Sequence, residues 1–164
     1  MLYLIPPPAH RVVLRLAHGL RRRWWFMRRP RLSGCRVLAL DGLGRVLLVR
    51  HSYGSGKWMP PGGGVGRGED PVAAAQRELL EETGCSLLWA AHIELSEEQL
   101  HGAGNSVHVV AGETRDVPRA DRREIIEAGF FALADLPEAM PRLFRARLPE
   151  WITAAIAARP ADAL

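Results

Sequence analysis

Cysteine is scarce in this chain, and long apolar runs are missing. The two cysteines among 164 residues, Cys35 and Cys85, lie far apart with no CxxC or Cys/His spacing. Neither a disulfide framework nor a zinc site is indicated, and a reduced, cytoplasmic setting is the expectation. No stretch approaches the roughly 20 consecutive apolar residues that a membrane-spanning helix needs. The first 31 residues contain no acid at all. They do not read as a secretory signal, because their arginines follow the apolar patch and no small-residue cleavage site appears. Internal repeats are also missing, and the triple proline Pro6-Pro7-Pro8 is the nearest thing to a low-complexity tract.

What is present is unevenly charged. Eight arginines fall in residues 1–31, which leaves 14 Lys/Arg against 18 Asp/Glu, or −4, for residues 32–164. The high isoelectric point therefore belongs to the N-terminal segment, and the body is mildly acidic. Within that segment Val13, Leu16, Ala17, Leu20, Trp24 and Met27 recur at three- and four-residue intervals. This predicts a basic amphipathic helix that packs its stripe on the main domain or on a second copy in a homodimer. An anionic membrane surface or RNA phosphate is the alternative partner for such a helix. The length and the 48% hydrophobic content fit one domain with an appendage: residues 1–31 as basic helical segment, 32–158 as the main domain, 159–164 as a tail.

The main domain reads as alternating strands and helices. Residues 36–41 and 45–50 are short, apolar and separated by Gly42-Leu43-Gly44, a β-hairpin pattern. Residues 51–64 form a glycine-rich loop. A helix is announced from Asp70, with Pro71 in its first turn, good formers from Ala73 to Glu82 and Gly84 as its stop. Its buried face is expected to carry Val72, Ala73, Leu79 and Leu80. Strands are expected at 86–95 and 106–111 with a loop at 97–105 between them. A further strand is expected at 129–133 after a charged loop or short helix at 121–127, and a closing helix at 143–157. The order implies an α/β sandwich on a mixed sheet.

One stretch carries chemistry. Gly63 to Cys85 reads GGVGRGEDPVAAAQRELLEETGC, and it places Glu78, Glu81 and Glu82 within an arc of about 100° on the helix. Like charges at that spacing repel unless something positive faces them. Grouped hard oxygens suit Mg²⁺ or Mn²⁺, although charged runs on helices are usually only a solvated face.

The spacing of the other residues tilts the choice. Gly63, Glu69 six later, then Arg77-Glu78-Leu79-Leu80-Glu81-Glu82-Thr83-Gly84 resembles, slot by slot, the signature of the Nudix hydrolases; only Cys85 departs, in a slot for a bulky aliphatic residue. Leu47-Leu48-Val49-Arg50, the Trp58-x-x-Pro-Gly-Gly approach and Phe130-Phe131-Ala-Leu-Ala-Asp-Leu-Pro137 extend the likeness over about residues 34 to 157.

The resemblance implies a Nudix α/β/α sandwich. It also implies a metal-dependent pyrophosphohydrolase that cleaves a nucleoside diphosphate linked to another moiety by water attack at phosphorus. The substrate class would be a small nucleotide, a dinucleotide or a nucleotide sugar. By resemblance, Glu78, Glu81, Glu82 and the Gly63 carbonyl hold the metal, and Arg77 pairs with Glu69 to brace loop against helix. Glu82, Glu81 and Glu124 are the catalytic candidates, with Glu127 competing for the place of Glu124. Arg50, Tyr53, Lys57 and Trp58 are candidates for substrate contact, along with His51, and Trp58 is also read as a packing residue. The accessory residues that mark ADP-ribose and dinucleoside polyphosphate hydrolases are missing, so the subfamily stays open. An RNA 5′-end pyrophosphohydrolase and a non-catalytic nucleotide-binding regulator are the two alternatives.

Overall fold

The computed structural model describes residues 32–100, 103–120 and 124–161. The basic helix expected between residues 9 and 27, the arginines Arg122 and Arg123 and the last three residues lie outside these. Strand β1 (Leu32–Leu40) is followed by β2 (Val46–His51), the short β3 (Trp58–Met59), helix α1 (Pro71–Thr83), β4 (Trp89–Leu100), β5 (Ala103–Glu113), β6 (Ile125–Phe131) and helix α2 (Arg142–Ala158). The strands form one mixed sheet in the order β3-β2-β1-β5-β4, with β6 on the other edge of β2. Strands β1 and β5 run parallel from Leu32↔Asn105 to Leu40↔Glu113.

Strict alternation along the central strands explains the two layers. Cys35, Val37, Ala39, Leu47 and Val110 turn to one face and pack with Ala74, Ala75, Leu79 and Cys85 of the α1 side. Leu38, Leu40, Val46, Leu48, Val109 and Ala111 turn to the other and pack with Phe144, Leu148, Trp151, Ile152 and Ala155 of α2. A sheet covered on both faces by helices buries both side-chain sets, which is why these strands read as nearly continuous apolar runs.

Three expectations are corrected. The buried face of α1 is Ala74, Ala75 and Leu79, whereas Leu80 is 54% exposed and Ala73 is also exposed. The helix turns so that its smallest side chains meet the sheet and let its backbone approach closely. Residues 97–100 and 103–105 are strand rather than loop, because β4 and β5 pair antiparallel from Trp89↔Glu113 to Leu100↔Ala103. The cross-strand ladder carries the polar sequence Ser96–Gln99 as strand, overriding its low apolar content. Residues 125–127 are neither loop nor helix, since β6 pairs with β2 from Ile125↔His51 to Phe131↔Val46.

Helix α1 begins and ends as its sequence announces. The Asp70 carboxylate accepts from the N–H groups of Val72 and Ala73, and Gly84 closes the helix in the left-handed region at φ 71° with its N–H on the Leu80 carbonyl. The closing helix runs one residue further at each end than expected.

Candidate active site

The loop between β3 and α1 does not lie on the surface; it enters the sheet. Strands β1 and β2 pair at Leu40↔Val46 and then diverge. Residues 61–65 fill the gap, with Val37 N–H donating to the Pro61 carbonyl, Cys35 N–H to the Gly63 carbonyl and Val65 N–H to the Ser33 carbonyl. Gly62 makes this possible: a Cβ there would lie 2.1 Å from the Cys35 carbonyl oxygen, with φ at +151°. At Gly63 a Cβ would lie 2.4 Å from the Glu78 carboxyl carbon. The Glu78 carboxylate thus occupies the place that any side chain at position 63 would need.

The helix supplies charge and the loop receives it. The Gly62 N–H donates to Glu82 Oε2 at 3.0 Å, and His51 Nε2 lies 3.6 Å from Glu82 Oε1. Glu82 is buried, unusually for a carboxylate, at 8% exposure. Arg77 donates to Glu69 (Nε to Oε1, 3.1 Å), to Glu78 Oε1 at 2.7 Å and to the Gly64 carbonyl at 3.2 Å, and comes within 3.7 Å of Glu81 Oε2. One guanidinium therefore joins loop and helix at four points. The Glu69 carboxyl is held below its ordinary range, first by its hydrogen bonds from Arg77 and then by the Gly66 N–H. Arg77 is held above its own, by Glu69 and then Glu78.

The glutamates Glu78, Glu81 and Glu82 of the Gly63-to-Cys85 motif, the box, differ in their surroundings. The Glu81 side chain is 62% exposed, that of Glu78 17%. Among the described residues no three His, Cys, Asp or Glu side chains converge as a metal site. Arg77 draws Glu78 and Glu81, while the Gly62 N–H draws Glu82, so mutual repulsion is relieved by separate partners. The donor set remains one of hard oxygens, with the Glu78 carboxylate against the Gly63 backbone. Oxygen donors of this kind suit a hard divalent cation.

The other candidates scatter. Glu124 stands at the start of β6, where its carbonyl accepts from Ser52 N–H, next to the His51↔Ile125 pair and so at the Glu82 end of the sheet. Glu127 is paired with Arg50 at 2.6 Å across β2 and β6, which turns both toward each other. Trp58 packs edge-on against Phe131, with ring centroids 4.9 Å apart. Tyr53 lies against the His51 ring at 5.2 Å. Lys57 is exposed, and its N–H turns back to Ser55 Oγ. His92 and His108 meet each other at 3.0 Å across β4 and β5.

A cavity that the sequence reading missed lies on the α2 face. It has a volume of 660 Å³ and is walled by Arg36, Glu94, Phe144, Arg147 and Trp151. The Arg36 guanidinium sits over the Phe144 ring at 4.3 Å and that of Arg147 over the Trp151 ring at 5.7 Å. Gly62 lies near elements of both cavity and box: its N–H holds Glu82, and a Cβ on it would lie 2.9 Å from the Cα of Arg36, whose residue lines the cavity. Arg36 in an otherwise apolar alternation, and Arg147 with Trp151 four residues later, were the available signals.

Known proteins share this family signature and this fold. The family model of the NUDIX domain matches residues 30–153. An RNA pyrophosphohydrolase of Roseobacter denitrificans is 42% identical over 65 residues, which is 39% of this chain and 41% of that protein. An oxidized purine nucleoside triphosphate hydrolase of Danio rerio is 40% identical over 87 residues, 49% of each. The matched stretch thus spans less than half the length of either relative. Among solved structures, a MutT NUDIX hydrolase from Burkholderia pseudomallei superposes with a TM-score of 0.65 at 27% identity, covering 73% of this chain and 97% of its own. The fold and the box define a mixed-sheet α/β/α sandwich with a carboxylate helix docked on a glycine loop. The chain belongs to the Nudix family.

Proposed function

We propose that this protein is a divalent-cation-dependent pyrophosphohydrolase that cleaves a nucleoside diphosphate linked to a second moiety. The supporting observation is the docking of α1: Glu78 abuts the Gly63 backbone and buried Glu82 rests on the Gly62 N–H beside His51. Glu78, Glu81 and Glu82 would hold the ion, Mg²⁺ or Mn²⁺, together with the Gly63 carbonyl, whose second lone pair remains after its bond with Cys35 N–H. When bound, such an ion supplies the positive charge that a diphosphate needs before a nucleophile can approach it.

The chain's own residues do the rest. Arg77 fixes the loop against the helix so that the carboxylates keep their places, a positioning role. Glu82, the least exposed of the three, is the proposed acceptor of the proton from the attacking water, with His51 near enough to share the charge; Glu124, at the same end of the sheet, is the second candidate. The 660 Å³ cavity takes the nucleoside part, with aromatic rings and guanidinium groups suited to a flat heterocycle. Small nucleotides fit that volume, whereas a long RNA strand would need a basic track outside it, which the arginines of residues 1–31 could supply.

The test is release of phosphate or mononucleotide from a panel of nucleoside triphosphates, dinucleotides and nucleotide sugars, with and without Mg²⁺. Cation-dependent turnover that collapses in Glu82→Gln supports the reading. Nucleotide binding without cleavage of any compound, including triphosphorylated RNA, would replace the enzyme with a nucleotide-binding regulator.

A further inference from the structure

Strict alternation along β4 would place Glu94 on the α1 face. Its neighbours show why it is elsewhere: His92 pairs with Val110, but Glu94 pairs with Val109, so the register shifts by one residue between them. Val110 packs on the α1 side and Val109 on the α2 side. The bulge therefore delivers two consecutive residues, Ile93 and Glu94, to the α2 face. Ile93 joins the core there and Glu94 lines the cavity. Bulges that re-aim a side chain beside a site are features of design rather than defects.

Once delivered, the carboxylate is pinned on one side only. Arg147 donates to Glu94 Oε2, and the Trp151 indole N–H donates to the same oxygen at 3.1 Å. Arg147 is itself held by Glu150 at 3.0 Å. Both hydrogen bonds of Glu94 land on Oε2; Oε1 takes none from the described residues. The cavity thus contains a fixed carboxylate with one oxygen committed and one available to a ligand. That oxygen attracts an N–H donor and repels the lone pair of a keto or ring-nitrogen acceptor, so it selects by both gain and penalty. The planar guanidinium groups of Arg36 and Arg147, which lie over the Phe144 and Trp151 rings and line the cavity, favour a planar donor-bearing group over a sugar.

Building on the nucleotide-hydrolase reading above, we infer that Glu94 is the specificity-determining residue of the cavity and reads an exocyclic amino group on the substrate's base. Arg147 and Trp151 position it. A charge-assisted hydrogen bond of this kind separates ligands by roughly 10- to 100-fold.

The experiment uses matched pairs that differ by one amino group: adenosine against purine riboside, guanosine against inosine, and cytidine against its 4-deamino analogue. Equilibrium binding of these nucleosides, which lack phosphate, reports on the cavity and not on the box; kcat/KM for the corresponding triphosphates follows. In the full chain at least one pair should favour the amino member by roughly 10- to 100-fold. Glu94→Gln should bring that pair within about threefold, since an amide can turn its own donor to the ligand. Glu94→Asp, which keeps the charge but withdraws it by one methylene, should give an intermediate ratio, and Ser96→Ala, at another lining residue, should leave the ratio unchanged. Thermal unfolding of each variant checks that it folds. Equal binding within all three pairs, or a preference that survives Glu94→Gln, overturns the inference even where hydrolysis is robust. An amino preference in nucleoside binding with no hydrolysis of any triphosphate would leave the assignment of Glu94 standing and overturn the hydrolase reading instead.

Discussion

The two faces of the sheet are built from residues of different size, and they do different things. On the α1 face small residues predominate, with Cys35, Ala39, Ala74, Ala75 and Cys85 beside Val37, Leu47, Leu79 and Val110. On the α2 face large residues do: Leu38, Leu48, Met140, Phe144, Trp151 and Ile152. Small residues let α1 come close enough for Glu78 to press against the Gly63 backbone and for Glu82 to take the Gly62 N–H. The large residues Phe144 and Trp151 wall the 660 Å³ cavity together with Arg36 and Glu94.

That contrast can be broken at several points, and the largest effect belongs to the charged side. Glu82→Gln should lower turnover by about 10²- to 10⁴-fold, the range for loss of a positioned proton acceptor, while leaving nucleoside binding in the cavity intact. Steady-state kinetics beside a binding titration checks this; equal loss of both would mean that the variant has disturbed the sheet rather than the chemistry. Overall stability should depend most on the α2 face. Leu148 is fully buried, and Leu148→Ala should cost about 2–5 kcal/mol in denaturant unfolding, through lost contacts and a residual cavity.

The close-packed side should fail in the opposite way. Ala75→Leu adds volume where α1 meets the sheet and should cost about 1–3 kcal/mol by overpacking. It should also lower activity, because any outward shift of α1 moves Glu78 and Glu82 from the loop. An Ala75→Leu enzyme with full activity would show that the close approach is dispensable. Asp70→Ala removes a cap from the same helix and should cost about 0.5–2 kcal/mol, with a smaller loss of activity.

The smallest effect concerns pH. Glu69 is held below its ordinary carboxylate range in the folded chain, first by Arg77 and then by the Gly66 N–H. A depressed folded value means that its contribution is fully present above the unfolded value, about 4.3, and is lost as pH falls through the folded one. Arg77→Met should therefore flatten the acid limb of a melting-temperature profile as pH falls below the unfolded value. The two profiles should run parallel at neutral pH and differ most in slope below 4.3. Because Glu69 is solvated, screening by salt should shrink the difference further.

Much of this was legible from local signals. Asp70, Pro71 and Gly84 announced α1, and they cap it as read, because capping depends on residues within one turn. The alternation at residues 36–41 and 45–50 marked the central strands. Local signals failed where pairing partners decide. Glu97 to Gln99 look like loop but extend β4, because β5 supplies their hydrogen bonds. Ile125 to Glu127 look like the end of a charged loop but join β2 as strand, and Glu127 thereby meets Arg50, 77 positions away in sequence. The helical wheel placed the glutamates on one side of α1 but misjudged the buried face, choosing Leu80 by hydrophobicity where close packing selected Ala74 and Ala75.

The sequence by itself determined the spacing of the box, and with it the family, the helix that carries three carboxylates and the two glycines that receive them. These follow from contacts within about 20 residues, which the chain's order alone prescribes. Tertiary structure decided how each carboxylate is partnered, since Arg77 and the Gly62 N–H divide the three between them. It also decided that a bulge in β4 turns Glu94 across the sheet to Arg147 and Trp151, 53 and 57 positions away. Strand register and helix distance are set by side chains remote in sequence, and a one-residue shift exchanges the faces of every residue beyond it.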